Sequence, residues 1–167
     1  IQEILNPKSS KKSEKSFNSR VFREGDKVMQ IINNYDKKFS QNGEFFDGIY
    51  NGDIGFITKI NNKEEKIMVT FDDNKEVEYE FDELEQLELA YAVTIHKSQG
   101  CEFDYVVLPL YTGYKKLFTR NLLYTAMTRA KKMLVIVGSK NIINFMVENL
   151  AKKIRKTGLK QKILEKL

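Results

Sequence analysis

The stretch VTIHKSQGCEFDYVVLPL, from Val93 to Leu110, places a polar segment directly before an apolar one. The seven residues from His96 to Glu102 contain no large apolar side chain, whereas YVVLPL is apolar on both faces. A strand of that kind is typical of a parallel sheet that is covered on both sides. The polar segment predicts one or two helical turns that end at Gly100, a residue suited to a left-handed C-cap. The stretch therefore predicts a functional loop beside a buried strand of an α/β domain.

Strand and helix patterns alternate around this stretch. LAYAV (89–93) predicts a short strand, and MLVIVG (133–138) predicts a second fully apolar strand after a helix at TRNLLYTAMTRA, with Thr119 as its N-cap. A closing amphipathic helix is predicted at NIINFMVENLAKKIRK (141–156). The core-facing side chains predicted for the two helices are Leu122, Leu123, Ala126, Met127, Ala130, Ile143, Met146, Val147, Leu150 and Ile154.

The strand–helix–strand order predicts a parallel sheet with functional loops at the carboxyl ends of its strands. Three strands make only part of such a sheet. We expect the remainder to come from sequence outside this chain, from the N-terminal helix region or from a partner.

Residues 23–88 show a different sequence pattern, in which short β segments are separated by residues typical of turns. Five short strands in some sixty residues predict a small all-β barrel, since an open sheet of this size would leave its edges unprotected. The strands are expected within 25–34, 45–53, 53–60, 66–71 and 75–81, with a loop rich in Lys, Ser and Asn after the first. Residues 1–22 predict a helix end and a flexible linker, and residues 89–167 the α/β part.

Charge is distributed unevenly along the 167 residues, whose formal net charge is +5. Residues 64–88 hold eleven acids and two lysines, whereas residues 89–147 hold eight Lys or Arg against two acids. Clustered positive charge is expected where a protein meets a polyanion such as nucleic acid or a nucleotide phosphate. A solvated surface face remains the alternative, above all for the C-terminal helix.

Several classes of protein are excluded by the composition. The longest apolar run is far shorter than the ~20 residues of a membrane helix, and the start has no apolar signal segment. A single cysteine cannot form an internal disulfide, which fits a cytoplasmic location, and one Cys with one His nearly excludes a structural zinc site. We expect no metal and no membrane contact, and the missing initiator Met suggests a piece of a larger protein.

The only histidine and the only cysteine lie five residues apart, which raises the possibility of thiol catalysis. A catalytic thiol needs a base within hydrogen-bond reach and usually a third group that orients the base. If Gly100 turns the chain, His96 and Cys101 project from opposite ends of the turn. A half-buried packing role for Cys101 is therefore the favoured interpretation.

Hydrogen-bonding side chains are concentrated in the same segment. Donors at the end of a strand and on a first helical turn suit a phosphate, whereas a carboxylate at Glu102 suits a ribose hydroxyl because it would repel phosphate. A polar surface turn is the alternative. The residues concerned are Thr94, His96, Lys97, Ser98, Gln99 and Glu102.

Arg129 lies three residues after Ala126 and seven after Leu122, so it shares a flank of the predicted buried stripe. A basic residue at such a position either extends its charge to the surface or points into a cleft. The spacing alone leaves both interpretations open.

Together, VTIHKSQGCEFDYVVLPL and LLYTAMTRAKKMLVIVG resemble motifs V and VI of superfamily 1 DNA helicases. The closest resemblance is to the RecD-like group, the α chain of exodeoxyribonuclease V and its stand-alone relatives. LNP (5–7), FREGDKVMQIINNYD (22–36) and YNGDIGFITKI (50–60) resemble the segment that this group carries ahead of motif V. The resemblance implies an SH3-like barrel inserted in the second RecA-like motor domain, of which residues 89–167 would be the C-terminal part.

The resemblance also implies roles for individual residues. Arg129 would reach the γ-phosphate of ATP, and Gly100 and Glu102 would border the nucleotide, Glu102 towards the ribose. Gln99 would lie at the nucleotide and couple it to the DNA site. The side chains implied at single-stranded DNA are those of Thr94, His96 and Ser98.

The sequence has no G-x-x-x-x-G-K-[ST] motif and no acidic Walker B strand. In the family both belong to a first motor domain, which would hold most of the ATP and its Mg²⁺, so we expect no ATP hydrolysis by this chain alone. The resemblance implies the C-terminal part of an ATP-dependent 5′-to-3′ DNA helicase of recombination and repair. Its expected partners are single-stranded DNA, the N-terminal motor domain and, in a complex, other exodeoxyribonuclease V subunits. Two alternatives are a nucleic-acid or protein binding module without a motor, and part of a relaxase-type superfamily 1B helicase.

Overall fold

The computed structural model describes residues 1–111, 113, 115–150 and 159–164. The chain forms two compact units, residues 1–101 and residues 102–167.

The first unit is built almost entirely from antiparallel strands. A short N-terminal helix, α1 (Gln2–Leu5), precedes a two-stranded sheet of β1 and β2. The other strands form one seven-stranded sheet in the order β5-β4-β8-β7-β6-β3-β9. The bounds are β1 (Glu14–Phe17), β2 (Arg20–Arg23), β3 (Lys27–Gln30), β4 (Asn34–Gln41), β5 (Glu44–Ile49), β6 (Ile54–Asn61), β7 (Lys66–Phe71), β8 (Lys75–Glu80) and β9 (Leu87–Leu89).

Alternation of apolar and polar side chains explains why β7 and β8 pair at the centre of this sheet. Successive side chains of a strand point to opposite faces, so Ile67, Val69 and Phe71 enter the core together. On β8, Val77 and Tyr79 do the same, while the alternating Glu76, Glu78 and Glu80 stay exposed. The resulting cluster draws side chains from every strand between β2 and β9: Phe22, Val28, Phe39, Ile49, Ile57, Ile60, Ile67, Val69, Phe71, Val77, Tyr79, Leu84 and Leu87.

Two segments differ from the sequence-based expectations. The predicted loop after β3 is instead strand β4, which forms a hairpin with β5 and reverses at Asn42 and Gly43, whereas β5, apart from its first residue, lies within the predicted segment 45–53. Both residues have positive φ, 54° and 86°, as a tight two-residue hairpin turn requires. Glu14–Phe17, predicted within the flexible linker, pairs with β2 as strand β1.

The second unit contains a parallel pair of strands, β10 (Phe103–Leu110) and β11 (Ala130–Gly138), joined through helix α2 (Arg120–Met127). Thr119 caps α2 as predicted, since its side chain accepts a hydrogen bond from the Leu122 amide. Helix α3 (Lys140–Glu148) follows, and α4 covers Leu159–Leu164. The parallel pair with its crossover helix fits part of a RecA-like sheet.

The burial of this unit is less complete than predicted. Leu123, Ala126 and Met146 are buried, but Met127 on α2 is 48% exposed. Helix α3 ends at Glu148 with Asn149 as its C-cap, so the prediction that this helix continues without a break to residue 156 is wrong. The predicted inward residues Val147 and Leu150 are exposed, and Ile154 lies outside the described residues. Several strand side chains predicted to be covered are likewise exposed in this chain: Tyr105, Val107, Met133, Val135 and Val137.

Candidate functional site

Residues 94–101 form a hydrogen-bonded turn, which we call the 94–101 turn. The Thr94 carbonyl accepts from the Ser98 amide at 3.0 Å, and Thr94 Oγ1 accepts from the Lys97 amide at 3.3 Å. The His96 carbonyl accepts from the Gln99 amide at 3.3 Å. The threonine thus caps the turn in the way that short hydroxyl side chains cap a helix start. The predicted strand at 89–93 and helical turns at 94–99 are wrong in detail, because β9 ends at Leu89 and the segment is a series of turns.

Gly100 completes this turn in a left-handed conformation, with φ +91°, as predicted. A Cβ added at this position would meet no atom within 4 Å. The backbone conformation, rather than lack of space, is therefore what favours glycine here. Thr94, His96, Gln99 and Gly100 are all exposed, so the turn presents four of the predicted site residues to solvent.

Ser98 lies on the inner side of the turn. It is only 5% exposed, and its hydroxyl donates to the Ile95 carbonyl at 2.9 Å. A hydroxyl can satisfy the local backbone in this way and be buried at little cost. Its position gives Ser98 a structural part in the turn, which differs from the predicted contact with DNA.

Cys101 closes the turn against the barrel. Its amide donates to the Ser98 carbonyl at 3.1 Å, and its Sγ lies 3.5 Å from the Gly52 carbonyl oxygen, to which it donates. The side chain is half-buried. These contacts support the packing role proposed for Cys101 from the sequence.

Glu102 and Arg129 belong to the second unit, where they flank the first rung of the β10–β11 pair. The Phe103 amide donates to the Arg129 carbonyl at 2.8 Å. The Glu102 carboxylate pairs with Lys131 at 3.1 Å, and both side chains are more than half exposed. An exposed pair of this kind contributes little free energy, so Glu102 can exchange Lys131 for another partner at small cost.

The Arg129 guanidinium lies at the C-terminal end of α2. Its Nε donates to the Thr125 carbonyl at 3.3 Å and its Nη2 to Thr128 Oγ1 at 3.2 Å. A cation is stabilised there because the last carbonyls of a helix carry partial negative charge. The side chain is half-buried, and these two hydrogen bonds hold the guanidinium against the helix end.

The structure therefore distributes the predicted site over both units. Residues 94, 96, 98, 99 and 100 lie on one turn of the first unit, and Glu102 and Arg129 lie side by side along the backbone of the second. Within the described residues there is no group of three or more His, Cys, Asp or Glu side chains placed to hold a metal ion. No helix in the described ranges is long and apolar enough to cross a membrane.

Two polar contacts in or next to the turn were not predicted, because no pattern in the sequence indicates which residues pair. Lys97 pairs with Glu88 of β9, and the Tyr91 hydroxyl donates to Asp26 Oδ1 at 2.8 Å. Asp26 is completely buried. Burial, together with the hydrogen bond to Asp26, raises the pKa of Tyr91 to about 12.

An SH3-like barrel followed by a parallel strand pair that fits part of a RecA-like sheet is a fold found in DNA helicases. Residues 1–71 match the family model described as the ATP-dependent RecD-like DNA helicase SH3 domain, and residues 89–137 match the UvrD-like helicase C-terminal domain. Both parts of the chain therefore match helicase domains, the first of them RecD-like, which confirms the resemblance predicted from the motifs.

Individual relatives agree with this assignment. The chain is 35% identical over 137 residues to an uncharacterised protein of Methanocaldococcus jannaschii, covering 75% of this chain and 12% of the relative. It is 36% identical over 117 residues to the ATP-dependent RecD2 DNA helicase of Deinococcus radiodurans, covering 70% and 14%. It is 38% identical over 119 residues to the RecBCD enzyme subunit RecD of Haemophilus influenzae, covering 71% of this chain and 17% of that relative. The chain thus spans less than a fifth of the length of each of these relatives. Because two of them are named as RecD proteins, they favour the RecD-like over the relaxase-type assignment.

Solved structures share the fold. Pif1 helicase from Bacteroides in complex with ADP-AlF3 and single-stranded DNA matches with a TM-score of 0.55 and 22% identity, covering 87% of this chain and 34% of that chain. The Bacteroides Pif1 structure bound to single-stranded DNA also gives 0.55, with 20% identity, 81% of this chain and 37% of that chain.

Proposed function

We propose that this chain acts as the C-terminal part of an ATP-dependent 5′-to-3′ DNA helicase of recombination and repair. In this role residues 23–88 are the SH3-like barrel, residues 89–167 belong to the second motor domain, and residues 1–22 lead into the barrel. The observation that carries the proposal is the 94–101 turn, which presents Thr94, His96 and Gln99 outward and ends at a left-handed glycine. The matches of both parts of the chain to helicase domains support it.

Single-stranded DNA is the proposed polymer bound by the turn. The exposed hydroxyl of Thr94 and the exposed imidazole of His96 are groups that can donate hydrogen bonds to phosphate oxygens. The buried Ser98 hydroxyl holds these two residues in place instead of contacting DNA. Relatives named as RecBCD subunits make the other subunits of such a complex the proposed protein partners, and a cytoplasmic location follows from the DNA substrate.

The groups present on the second unit fit a nucleotide at its triphosphate and its ribose. The Arg129 guanidinium has a planar set of donors that matches a phosphate, and the Glu102 carboxylate can accept a hydrogen bond from a ribose hydroxyl. When bound, ATP with Mg²⁺ supplies the free energy of phosphoryl transfer, and a first motor domain holds most of both. The Thr125 carbonyl and the Thr128 hydroxyl already hold the Arg129 guanidinium at the end of α2. The side chain therefore loses little conformational freedom when a phosphate takes the place of these two acceptors. We therefore propose Arg129 as the catalytic arginine, and Gln99, Gly100 and Glu102 as the residues that border the nucleotide.

Substitution of Arg129 in the intact helicase tests this proposal. An arginine that contacts the transferred phosphate contributes roughly 10³–10⁵ in rate, so Arg129→Ala is expected to abolish almost all DNA-stimulated ATP hydrolysis while nucleotide binding persists. Arg129→Lys retains the charge but loses the planar pair of donors, and is expected to recover little activity.

The matched control is Lys131→Ala, which removes a more exposed cation two residues after Arg129, at the start of β11. Steady-state ATPase rates with and without single-stranded DNA, together with fluorescent-nucleotide binding, supply the readouts. An Arg129→Ala enzyme that turns over at the wild-type rate would refute the assignment. If the full-length protein bound DNA but showed no nucleotide-dependent activity, the result would instead support a binding module without a motor.

A further inference from the structure

The barrel contacts the 94–101 turn and its approach at three points. Before the turn, the Tyr91 hydroxyl donates to Asp26 at 2.8 Å. Within the turn, Lys97 pairs with Glu88. At its end, Cys101 donates to the Gly52 carbonyl. All of these contacts lie within the first compact unit, so the turn is packed as part of the barrel.

The first contact rests on a carboxylate that has little freedom to move. Asp26 is 0% exposed and accepts hydrogen bonds from the Arg23 amide at 2.8 Å, from Asn6 Nδ2 at 2.7 Å and from Gln2 Nε2 at 2.6 Å. A buried acceptor that is satisfied by several donors is rigid, because moving it would leave each donor unpaired. Tyr91 is thus tied to a fixed point three residues before Thr94.

The second contact is part of a small network. Glu88 lies on β9, opposite Met29 of β3, and its carboxylate also accepts from Arg20 Nη2 at 3.4 Å. Arg20 Nη1 in turn donates to the Leu87 carbonyl at 3.1 Å. Glu88 is therefore held from the barrel side while it pairs with Lys97. A partly exposed pair of this kind is weaker than the buried contact at Asp26.

The third contact also leads back into the barrel. The Gly52 amide donates to the backbone carbonyl of Gln30 at 2.9 Å, and Gln30 is completely buried. The Gln30 side chain accepts a hydrogen bond from the Tyr79 hydroxyl at 2.9 Å. The Gly52 carbonyl that receives the Cys101 thiol is thereby fixed relative to the core.

We propose that the SH3-like barrel is the positioning scaffold of the 94–101 turn, with Asp26 and Glu88 as the positioning residues. Asp26 acts through Tyr91 and Glu88 through Lys97, and together they fix the orientation in which Thr94 and His96 meet a DNA strand. The DNA part of this inference rests on the proposed function. The positioning of the turn by the barrel does not, and the two can be measured separately.

Hydrogen–deuterium exchange on the amides of the turn tests the positioning. Tyr91→Phe removes only the hydroxyl that reaches Asp26, and it is expected to speed exchange within residues 94–101 roughly tenfold or more, as expected when a hydrogen bond to a charged group is lost. Glu88→Gln weakens a more exposed pair, and the expected increase is roughly two- to fivefold. Amides of β6, β7 and β8 are expected to exchange as in the wild type.

Two matched controls separate positioning from general destabilisation. Ile67→Val removes a buried methyl group from the barrel core without touching the contacts to the turn, and Glu85→Gln neutralises an exposed acid near Glu88. Neither is expected to speed exchange selectively in the turn. Unchanged exchange in residues 94–101 of folded Tyr91→Phe and Glu88→Gln proteins would overturn the proposal, as would an equal effect of Ile67→Val.

A second readout in the intact helicase addresses DNA. A mispositioned turn is expected to raise several-fold the DNA concentration that half-maximally stimulates ATP hydrolysis, while the rate at saturating DNA stays within about twofold of the wild type. Loss of the saturated rate instead would contradict a positioning role. Faster exchange with unchanged DNA dependence would support the scaffold and count against the DNA contact assigned to this turn under the proposed function.

Discussion

Asp26→Ala tests how much the buried carboxylate contributes to folding of the first unit. The substitution removes the acceptor of one side-chain N–H of Asn6, whose Nδ2 still donates to the Glu24 carbonyl, and of the Arg23 backbone amide. Both residues are almost completely buried. Each unpaired buried donor costs about 1–3 kcal/mol, so the free energy of unfolding is expected to fall by about 4 kcal/mol. The donors from Gln2 and Tyr91 are less buried and can be rehydrated.

Urea denaturation of the 167-residue chain, followed by circular dichroism, measures this loss. With a denaturant slope of about 2 kcal/mol per M, the midpoint of the first unit is expected to fall by roughly 2 M. Asp47→Ala, on the exposed part of β5, serves as the control and is expected to change the free energy of unfolding by less than about 0.5 kcal/mol. A loss below about 1 kcal/mol for Asp26→Ala would refute the reasoning. It would show that the cost of burying the carboxylate cancels its hydrogen bonds.

Two further predictions concern the turn and its approach. The pKa of Tyr91 is raised to about 12 by burial and by its hydrogen bond to Asp26. Because the folded pKa lies above the unfolded value near 10, the stabilisation is complete below about pH 10 and is lost as the pH rises through about 12. A phenolate absorbance titration is expected to lose one high-pH transition in Tyr91→Phe, and an unchanged titration curve would contradict the assignment. Gly100→Ala forces a side chain into the left-handed region at about 1–2 kcal/mol, so exchange of the turn amides is expected to rise roughly 5- to 30-fold, and less in Gly100→Asn. Equal exchange in the alanine variant and the wild type would show that this conformation is not needed.

The strands with regular alternation were predictable from the sequence. In β7 and β8 every second side chain is buried, so pattern and structure coincide. Strand β4 lacks that signal, because Phe39 is its only buried side chain. Its lysines and asparagines therefore favoured a loop, although Asn42-Gly43 is a typical hairpin turn.

The exposure of the 94–101 turn was predictable to a similar degree. Hydrogen-bonding residue types around a glycine indicated an exposed turn, and Thr94, His96 and Gln99 are exposed there. The burial of Ser98 was not predictable, since it depends on a local hydrogen bond to Ile95. The link from Tyr91 to Asp26 joins residues 65 positions apart, and polar contacts of that range leave no periodic trace in a sequence.

The division of the chain after Cys101 has a consequence for how the barrel can be exchanged between helicases. A cut at residue 88, where the β pattern ends in the sequence, would separate Asp26 from Tyr91 and Glu88 from Lys97. A transplanted barrel that ends at residue 88 would lack the 94–101 turn, whose approach and Lys97 contact the barrel's own Asp26 and Glu88 carboxylates. The transferable module is therefore residues 1–101, and a chimaera joined between Cys101 and Glu102 is expected to carry the donor's turn geometry into the recipient motor.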